Sequence, residues 1–400
     1  MSILTIILII FILYAVFEYE KHHKCRNKIP LVIHVNGTRG KSSVTRLIAA
    51  GLQAGNIKTI AKTTGSAPSI ILENGNEIPI VRYFGPNIKE QLKIFRFASK
   101  RNIQALVLEC MAISPEYQWI TEQKMTKSDI GVITNIRLDH LDVMGPGLKN
   151  VAYSICNTLP NNGKAFTSEY KLLPFMKKIS EKQNIDLKFV DSNNVTDEDM
   201  DGFPYIEHKD NVSLSLEVCE SCGVKKEIAL NGMKKVNPDI GAAQLFLLKK
   251  DGKEIYFAHS FAANDPESTV FVMQYIKSIH KDIEFTGIVL NTRADRIFRS
   301  KQLIIMLQTI HFNILYLIGQ ETSTIKSFAL KHNIPSNKIC NLGWITGESL
   351  IKHFTKQKSK RILLVGIGNI GGNGGIILEY FSEKQGNKPQ KYTKVHKSNF

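Results

Sequence analysis

The residues best suited to chemistry lie in one short polar run, NGTRGKSSVTRL, from Asn36 to Leu47. It places Gly37-x-x-Gly40-Lys41-Ser42 directly after the branched apolar run LVIHV (Leu31 to Val35), which reads as a buried parallel strand. Behind it Val44, Leu47, Ile48 and Leu52 recur at helical spacing, and Gly55 suits the helix end. A strand-to-helix turn of this kind aims free backbone N–H groups at one point, with the positive end of the helix dipole behind them, so that point suits an anion. Gly37 and Gly40 allow close backbone approach, Lys41 supplies a point charge for β- and γ-phosphates, and the Ser42 hydroxyl can sit on Mg²⁺. The longer phosphate-loop pattern has a glycine where this chain has Val35, so the loop is a shortened form.

Two more residues end apolar runs. QALVLEC (Gln104 to Cys110) carries Glu109 at its end, and a buried strand closing on one acid favours a Mg²⁺ role. DIGVITNI (Asp129 to Ile136) ends in Asn135 and is followed by RLDHLD with His140, which is open between a ligand and a structural histidine. IKTIA (Ile57 to Ala61) runs into KTTGSAP. Strands alternating with helices from Pro30 onward give a doubly wound α/β pattern, and ligands in such sheets bind beyond the carboxyl ends of the strands. Ser42, Glu109 and His140 are therefore expected to converge beside the loop.

A second α/β unit is expected from near Glu254, with strands in EIYFAH, FTGIVLNT, ILYLIG and RILLVGIG. Its boundary is placed in the polar stretch Lys234 to Lys253, where Asn237-Pro238 and Asp251-Gly252 act as breakers. The domains read as 1–29, a membrane anchor with a basic flank; 30–242, an ATP-binding central domain; 243–381, a C-terminal α/β domain; and 382–400, a disordered basic tail. Gly366-x-Gly368-x-x-Gly371 follows a strand but lacks the later strand and acid of a dinucleotide fingerprint, so it reads as a glycine-rich loop.

Ser2 to Phe17 is an uncharged, almost wholly apolar run of 16 residues, followed by Lys21, Lys24, Arg26 and Lys28. Charge after the run rather than before it, without a small-residue cleavage site, points to an uncleaved signal anchor that keeps the remainder in the cytoplasm. The 400-residue chain has a net charge of +16, which suits nucleic acid, an anionic membrane face or acidic substrates. No zinc-finger or RNA-recognition signature accompanies that charge, so nucleic acid is set aside. Six scattered cysteines argue for a reducing compartment, and Cys219-x-x-Cys222 falls on an apolar helix face without a second metal-spaced pair.

GTRGKSS, LEC and TNIRLDHLDVMG resemble the ATP- and metal-binding motifs of the Mur ligase superfamily. With KTTG, GPNIKEQ, LECMAISPEYQ, FAANDPEST and NTRADR, the chain resembles the ligase-subunit family of the poly-γ-glutamate synthases, the membrane-anchored capsule enzymes, over about Leu31 to Gly375. The resemblance implies a Mur-ligase-like central P-loop domain with a parallel doubly wound sheet, a C-terminal Rossmann-like α/β domain and an N-terminal transmembrane anchor. It implies ATP on Asn36, Gly37, Thr38, Arg39, Gly40, Lys41, Ser42 and Ser43, with Asn264, Asp265 and Arg296 as further nucleotide contacts. Mg²⁺ is implied on Ser42 and Glu109, with His140 at a second Mg²⁺, and catalytic roles for Lys41, Glu109, His140, Arg293 and Asp295. The implied reaction joins glutamate through γ-carboxylates by an acyl phosphate. Implied partners are glutamate, the poly-γ-glutamate chain, small membrane subunits of the synthase and the inner (cytoplasmic) membrane, with a homo-oligomer left open.

Two positions depart from the superfamily pattern. The place of its metal-bridging carbamylated lysine is apolar, near Ile155, and Gln244 stands where related ligases have an arginine near the domain junction. Another Mur-superfamily ligase, of folylpolyglutamate or wall-precursor type, and a membrane-tethered NTPase for polymer export are the alternative readings.

Overall fold

The computed structural model describes residues 3–65, 68–82, 85–203, 205–237, 244–261, 266–355 and 357–384. The chain divides at Asp239 into two compact units. In the first, β1 (Leu31–Asn36), β2 (Thr59–Lys62), β3 (Ser69–Ile71), β4 (Glu77–Pro79), β5 (Ala105–Glu109), β6 (Ile130–Ile133), β7 (Lys164–Thr167) and β8 (Asp186–Phe189) form one sheet, in the order β4-β3-β2-β5-β1-β6-β7-β8. Pairing is parallel from β2 through to β8, while β3 and β4 add an antiparallel hairpin at the edge.

Apolar residues on both faces of β1 explain its central place. Ile33 and Val35 join the core under α2 (Lys41–Ala54), whose Val44, Leu47, Ile48 and Leu52 are fully buried, as the spacing predicts. The helix Lys209–Ser221 covers the same core with Val212, Leu216 and Cys219, so Cys219 is a packed thiol and all six cysteines are free. Val32 packs on the other face with α3 (Glu90–Ser99).

Register fixes the site. Val35 pairs with Glu109 and with Val132, and Lys62 pairs with Leu108, so β1, β2, β5 and β6 all end at one edge of the sheet. The residues that follow each strand must meet there.

Three differences from the sequence reading have physical causes. The helix α1 runs Ile3–Asn27, past the apolar run Ser2 to Phe17 and on through the basic flank, whose residues pack on the first unit. His22 is buried edge-on against Phe95, Glu18 pairs with Arg96, and Arg26 donates to the carbonyls of Thr126 and Lys127 and to Asp129. Secondly, the chain after α4 (Pro115–Ile120) loosens into a π-helical turn, Thr121–Thr126, which no periodicity signalled.

Thirdly, the stretch read as a linker contains a strand. In the second unit β9 (Gln244–Lys250), β10 (Lys253–His259), β11 (Phe285–Thr292), β12 (Ile314–Gly319), β13 (Ile339–Gly343) and β14 (Arg361–Gly368) form a sheet in the order β13-β12-β11-β14-β10-β9. Asp251 and Gly252, with φ of 50° and 72°, make a tight two-residue turn, and β9 pairs antiparallel to β10 as a sheet edge. The glycine-rich segment read as a loop is only partly one: Gly366 and Gly368 close β14, where Gly366 pairs with His259 and Val289, and of the three motif glycines only Gly371 lies in the connection to the helix Asn373–Lys384. The tail from residue 385 lies outside the described residues.

Candidate functional site

The turn after β1 is built for close approach. Gly37 has φ 136°, and a Cβ there would lie 2.1 Å from Thr134 Oγ1. Gly40 begins α2 with φ 82° and no side-chain cap, and a Cβ there would lie 2.6 Å from Asn211 Oδ1. Both values fall in the left-handed region that glycine tolerates best. An uncapped helix start leaves backbone donors for a ligand. Gly40→Ala is expected to weaken ATP binding about tenfold, since strain of about 1–3 kcal/mol distorts the loop. Isothermal titration against wild type, with circular dichroism to confirm the fold, measures it.

The loop is clamped by the segment after β6. Thr38 N donates to Asn135 O at 2.8 Å, Arg39 N to Asn135 Oδ1 at 3.0 Å, and Thr134 Oγ1 to Arg39 O at 2.6 Å. Arg137 N donates to Thr38 Oγ1 at 2.9 Å. Asn36 reaches the other way, from Nδ2 to Gln118 Oε1 at 3.1 Å and to Thr158 Oγ1 at 3.0 Å.

Lys41 Nζ donates to the carbonyls of Gly37 at 2.7 Å and Thr38 at 3.2 Å. Among the described residues no carboxylate forms an ion pair with it. Burial lowers its pKa below the usual lysine range, opposed by the charge of Glu109 and reinforced by Arg39. Ser42 Oγ donates to Glu109 Oε2 at 2.9 Å, and Thr64 N donates to the same oxygen at 2.6 Å. Glu109 is buried, so this hydroxyl and carboxylate form a preorganised oxygen pair beneath the helix start.

His140 stands apart from that pair. It precedes the short helix Leu141–Met144 with φ 46°, its side chain is half exposed, and Nε2 lies 3.9 Å from Asp139 Oδ1. Asp139 Oδ2 in turn lies 3.2 Å from Arg39 NH1, which ties His140 to the rim of the loop. Among the described residues no three His, Cys, Asp or Glu side chains converge as a ready cation site. Ser43 lies on the first turn of α2. Ile155 is buried in the core at the place expected to lack the bridging lysine, and Gln244 begins β9.

In the second unit Arg293 follows β11 and forms a two-pronged ion pair with Asp295 at 2.8–2.9 Å, with Arg296 Nε 4.0 Å from the same carboxylate. A Cβ on Gly371 would lie 2.8 Å from Arg293 NH1, so the glycine-rich loop gives this arginine its space. Asn264 and Asp265 lie outside the described residues.

Several site residues escaped the sequence reading. Thr134 and Asn135 sit in a motif singled out for His140, and their role as a loop clamp follows only from the pairing of β1 with β6. Asn211 lies beneath Gly40 and donates from Nδ2 to the buried Glu207 Oε1 at 2.7 Å, and burial raises the Glu207 carboxyl. Beyond β2, the buried Lys62 ammonium lies 3.2 Å from Glu90 Oε2, and Arg82 holds Glu90 in a two-pronged pair at 2.7 and 3.0 Å. The KTTG and GPNIKEQ runs were the available signals for these charges.

Comparisons with known proteins bear on this geometry. Residues 35–238 match the Mur ligase middle domain, and residues 245–384 match the C-terminal domain of poly-gamma-glutamate synthase CapB. The chain is 36% identical over 392 residues to a capsule biosynthesis protein CapB of Bacillus anthracis, covering 97% of this chain and 84% of that protein. It is 34% identical over 386 residues to the PGA synthase CapB of Bacillus subtilis (strain 168), covering 96% and 98%. Among solved structures, E. coli FolC in complex with ADP superposes with a TM-score of 0.67 at 14% identity, over 91% of this chain and 94% of that one. Mycobacterium tuberculosis folylpolyglutamate synthase, solved with ADP and AMPPCP, gives a TM-score of 0.67 at 14% identity over 91% and 95%. These structural likenesses carry the fold, while the sequence matches carry the family: the chain belongs to the CapB family of poly-γ-glutamate synthases, within the Mur ligase superfamily.

Proposed function

We propose that this chain is an ATP-dependent amide ligase that joins glutamate units through their γ-carboxylates into the poly-γ-glutamate of a capsule. Membership of the CapB family supports the product, and the loop supports the energy source. The observation that carries the second point is Lys41, a partly buried ammonium held by two loop carbonyls at an uncapped helix start. Among the described residues no carboxylate pairs directly with this ammonium, the Glu109 charge acting on it only from a distance, and a triphosphate would supply a direct counter-anion.

The residues present fit Mg²⁺ as well. Ser42 and Glu109 offer hard oxygen donors already in contact, and bound there the ion would neutralise phosphate charge during transfer. The γ-carboxylate oxygen attacks the γ-phosphorus, ADP leaves, and an acyl phosphate forms. The amine of the joining glutamate attacks the acyl carbon, phosphate leaves, and the nitrogen loses a proton to give the amide. Lys41 and the backbone N–H groups at the start of α2 hold the phosphates in line, so the chain's part is positioning and charge neutralisation. The clamp from Thr134 and Asn135 keeps the loop in the shape this requires. Arg293 and Arg296 are the second unit's candidates for contacts to substrate carboxylate or phosphate, with Asp295 orienting Arg293, and His140 is the candidate for a second Mg²⁺.

α1 is proposed as a single anchor in the cytoplasmic membrane with both units in the cytoplasm, supported by its apolar first half and the basic residues that follow. Small membrane subunits complete this reading. Membranes containing the chain, supplied with Mg-ATP and labelled glutamate, are expected to release ADP and make a polymer resistant to α-peptidases and cleaved by γ-glutamyl hydrolases. ADP release that ignores glutamate, or a product without γ-linkage, would overturn the proposal.

A further inference from the structure

The second half of α1 is a docked helix as well as a tether. Glu18, His22 and Cys25 follow each other along the side turned to the first unit, with Ile29 just beyond the helix end, and they meet Arg96, Phe95 and the core around Val32. This docking sets where α3 lies relative to the apolar segment. Glu18 is the residue after Phe17, so its pairing with Arg96 places the middle of α3 at the end of the apolar run. His22, against Phe95, is only about 7.5 Å further along the axis at 1.5 Å per residue.

α3 presents a basic outer face. Lys89, Lys93, Arg96 and Lys100 recur at i, i+4, i+7 and i+11, within about 60° of arc on the helix. The opposite side carries the buried Gln91, Ile94, Phe95 and Ala98. Lys89, Lys93 and Lys100 are exposed, and among the described residues none of the three forms an ion pair. α1 and the residue after it add exposed Lys21, Lys24 and Lys28, with Lys21 Nζ folded back 5.6 Å over the Phe17 ring, against one exposed carboxylate, Glu20. The other nearby acids are engaged: Glu18 by Arg96, and Glu90 by Arg82 and Lys62.

We propose that the lysines of α3 and of the docked half of α1 form a headgroup-binding face that seats the first unit on anionic phospholipid around the point where α1 enters the bilayer. The proposal rests on reading α1 as a membrane anchor. Continuity with the apolar helix favours a lipid surface over other polyanions, because a Lys93 at this level faces the headgroup zone of the same membrane. Basic side chains at that depth gain from an anionic surface potential that decays within a Debye length. Seating of this kind holds the phosphate loop at a fixed height above the membrane.

The test reconstitutes the full chain in phosphatidylcholine vesicles with trace spin-labelled phosphatidylglycerol or phosphatidylcholine and compares their motionally restricted fractions. Wild type is expected to prefer phosphatidylglycerol about fivefold, and the triple variant Lys89→Glu, Lys93→Glu, Lys100→Glu to fall to about twofold, the share left to α1. The corresponding triple arginine variant keeps the wild-type preference, which separates charge from folding. Unchanged preference in the glutamate variant overturns the proposal, and so does a loss confined to retention of added poly-glutamate. Alkaline carbonate extraction separates the two readings: release of wild type from the vesicles sinks the anchor assignment itself, whereas retention with no change in lipid preference sinks only the headgroup face.

Discussion

Lys41→Ala is expected to lower glutamate-dependent ADP release by on the order of 10²–10³-fold or more while leaving the nucleotide-free protein as stable as wild type, or more so. Both halves follow from one placement. The ammonium packs partly buried against two carbonyls, so the folded chain carries a desolvation cost that the Glu109 charge offsets only in part and a bound anion offsets further. Removing it relieves that cost and removes the charge proposed to meet the β- and γ-phosphates. ATP at about 100 times its Kd stabilises wild type by about 2.7 kcal/mol, and thermal melts of the variant at that same concentration should show almost none of this shift. The pH dependence has two signs. Because burial holds the Lys41 pKa below the usual lysine range, the unfolded chain binds this proton more tightly, and nucleotide-free stability rises as pH climbs from the lowered value toward 10.5. ATP affinity falls across that window as the charge is lost. In Lys41→Ala both contributions vanish, and urea melts with and without ATP over the alkaline range read them separately.

The loop was legible because its neighbours are unambiguous. The run Leu31 to Val35 is mostly branched apolar and buried from Val32 on, α2 has a clean apolar stripe, and a turn of glycines between them has few other uses. Glu109 was legible for the same reason, as the one acid closing a buried strand, and the Val35–Glu109 register delivers its contact with Ser42. What escaped depends on distant partners. Asn211 lies on a helix far along the chain, and nothing local says that its amide sits beneath Gly40. The hairpin of β3 and β4 and the edge strand β9 are short or half-exposed, and the sequence reading named none of the three as strands. Asp251-Gly252 was read as a boundary, and it closes a hairpin. His140 was expected beside Ser42 and Glu109, and its tie to the rim through Asp139 and Arg39 belongs to a left-handed residue after β6 that spacing does not encode.

Beneath the loop lies a charge pair that no motif announced. His34 Nδ1 and Glu122 Oε2 are 2.7 Å apart and fully buried, and Ser128 donates to the other carboxylate oxygen from N at 2.8 Å and Oγ at 2.9 Å. Burial opposes a charge on His34, but the Cys110 sulfur and the Glu122 carboxylate outweigh it and push its pKa up to about 10. Glu122→Gln is therefore expected to cost about 3–5 kcal/mol of folding stability near neutral pH, because a buried cation loses its partner or must give up its proton. The sign of the pH effect is fixed by the raised value: the stabilisation is complete below the unfolded pKa of 6.5 and is lost as pH rises through about 10. Urea melts of wild type and variant should thus differ most at pH 6 and converge toward pH 10, whereas a gap independent of pH would mean that packing, not charge, holds the pair. Glu122 lies on the π-helical turn whose last carbonyls receive His22 and Arg26 of α1, and His34 shares a face of β1 with Asn36 at the loop's first step. The ion pair is therefore one non-covalent link between the docked helix and the strand that carries the phosphate loop, beside Asp129, whose Oδ2 accepts from both Arg26 and Val32 N. Weakening it should also loosen the loop, and Glu122→Gln is expected to raise the KM for ATP before it lowers kcat.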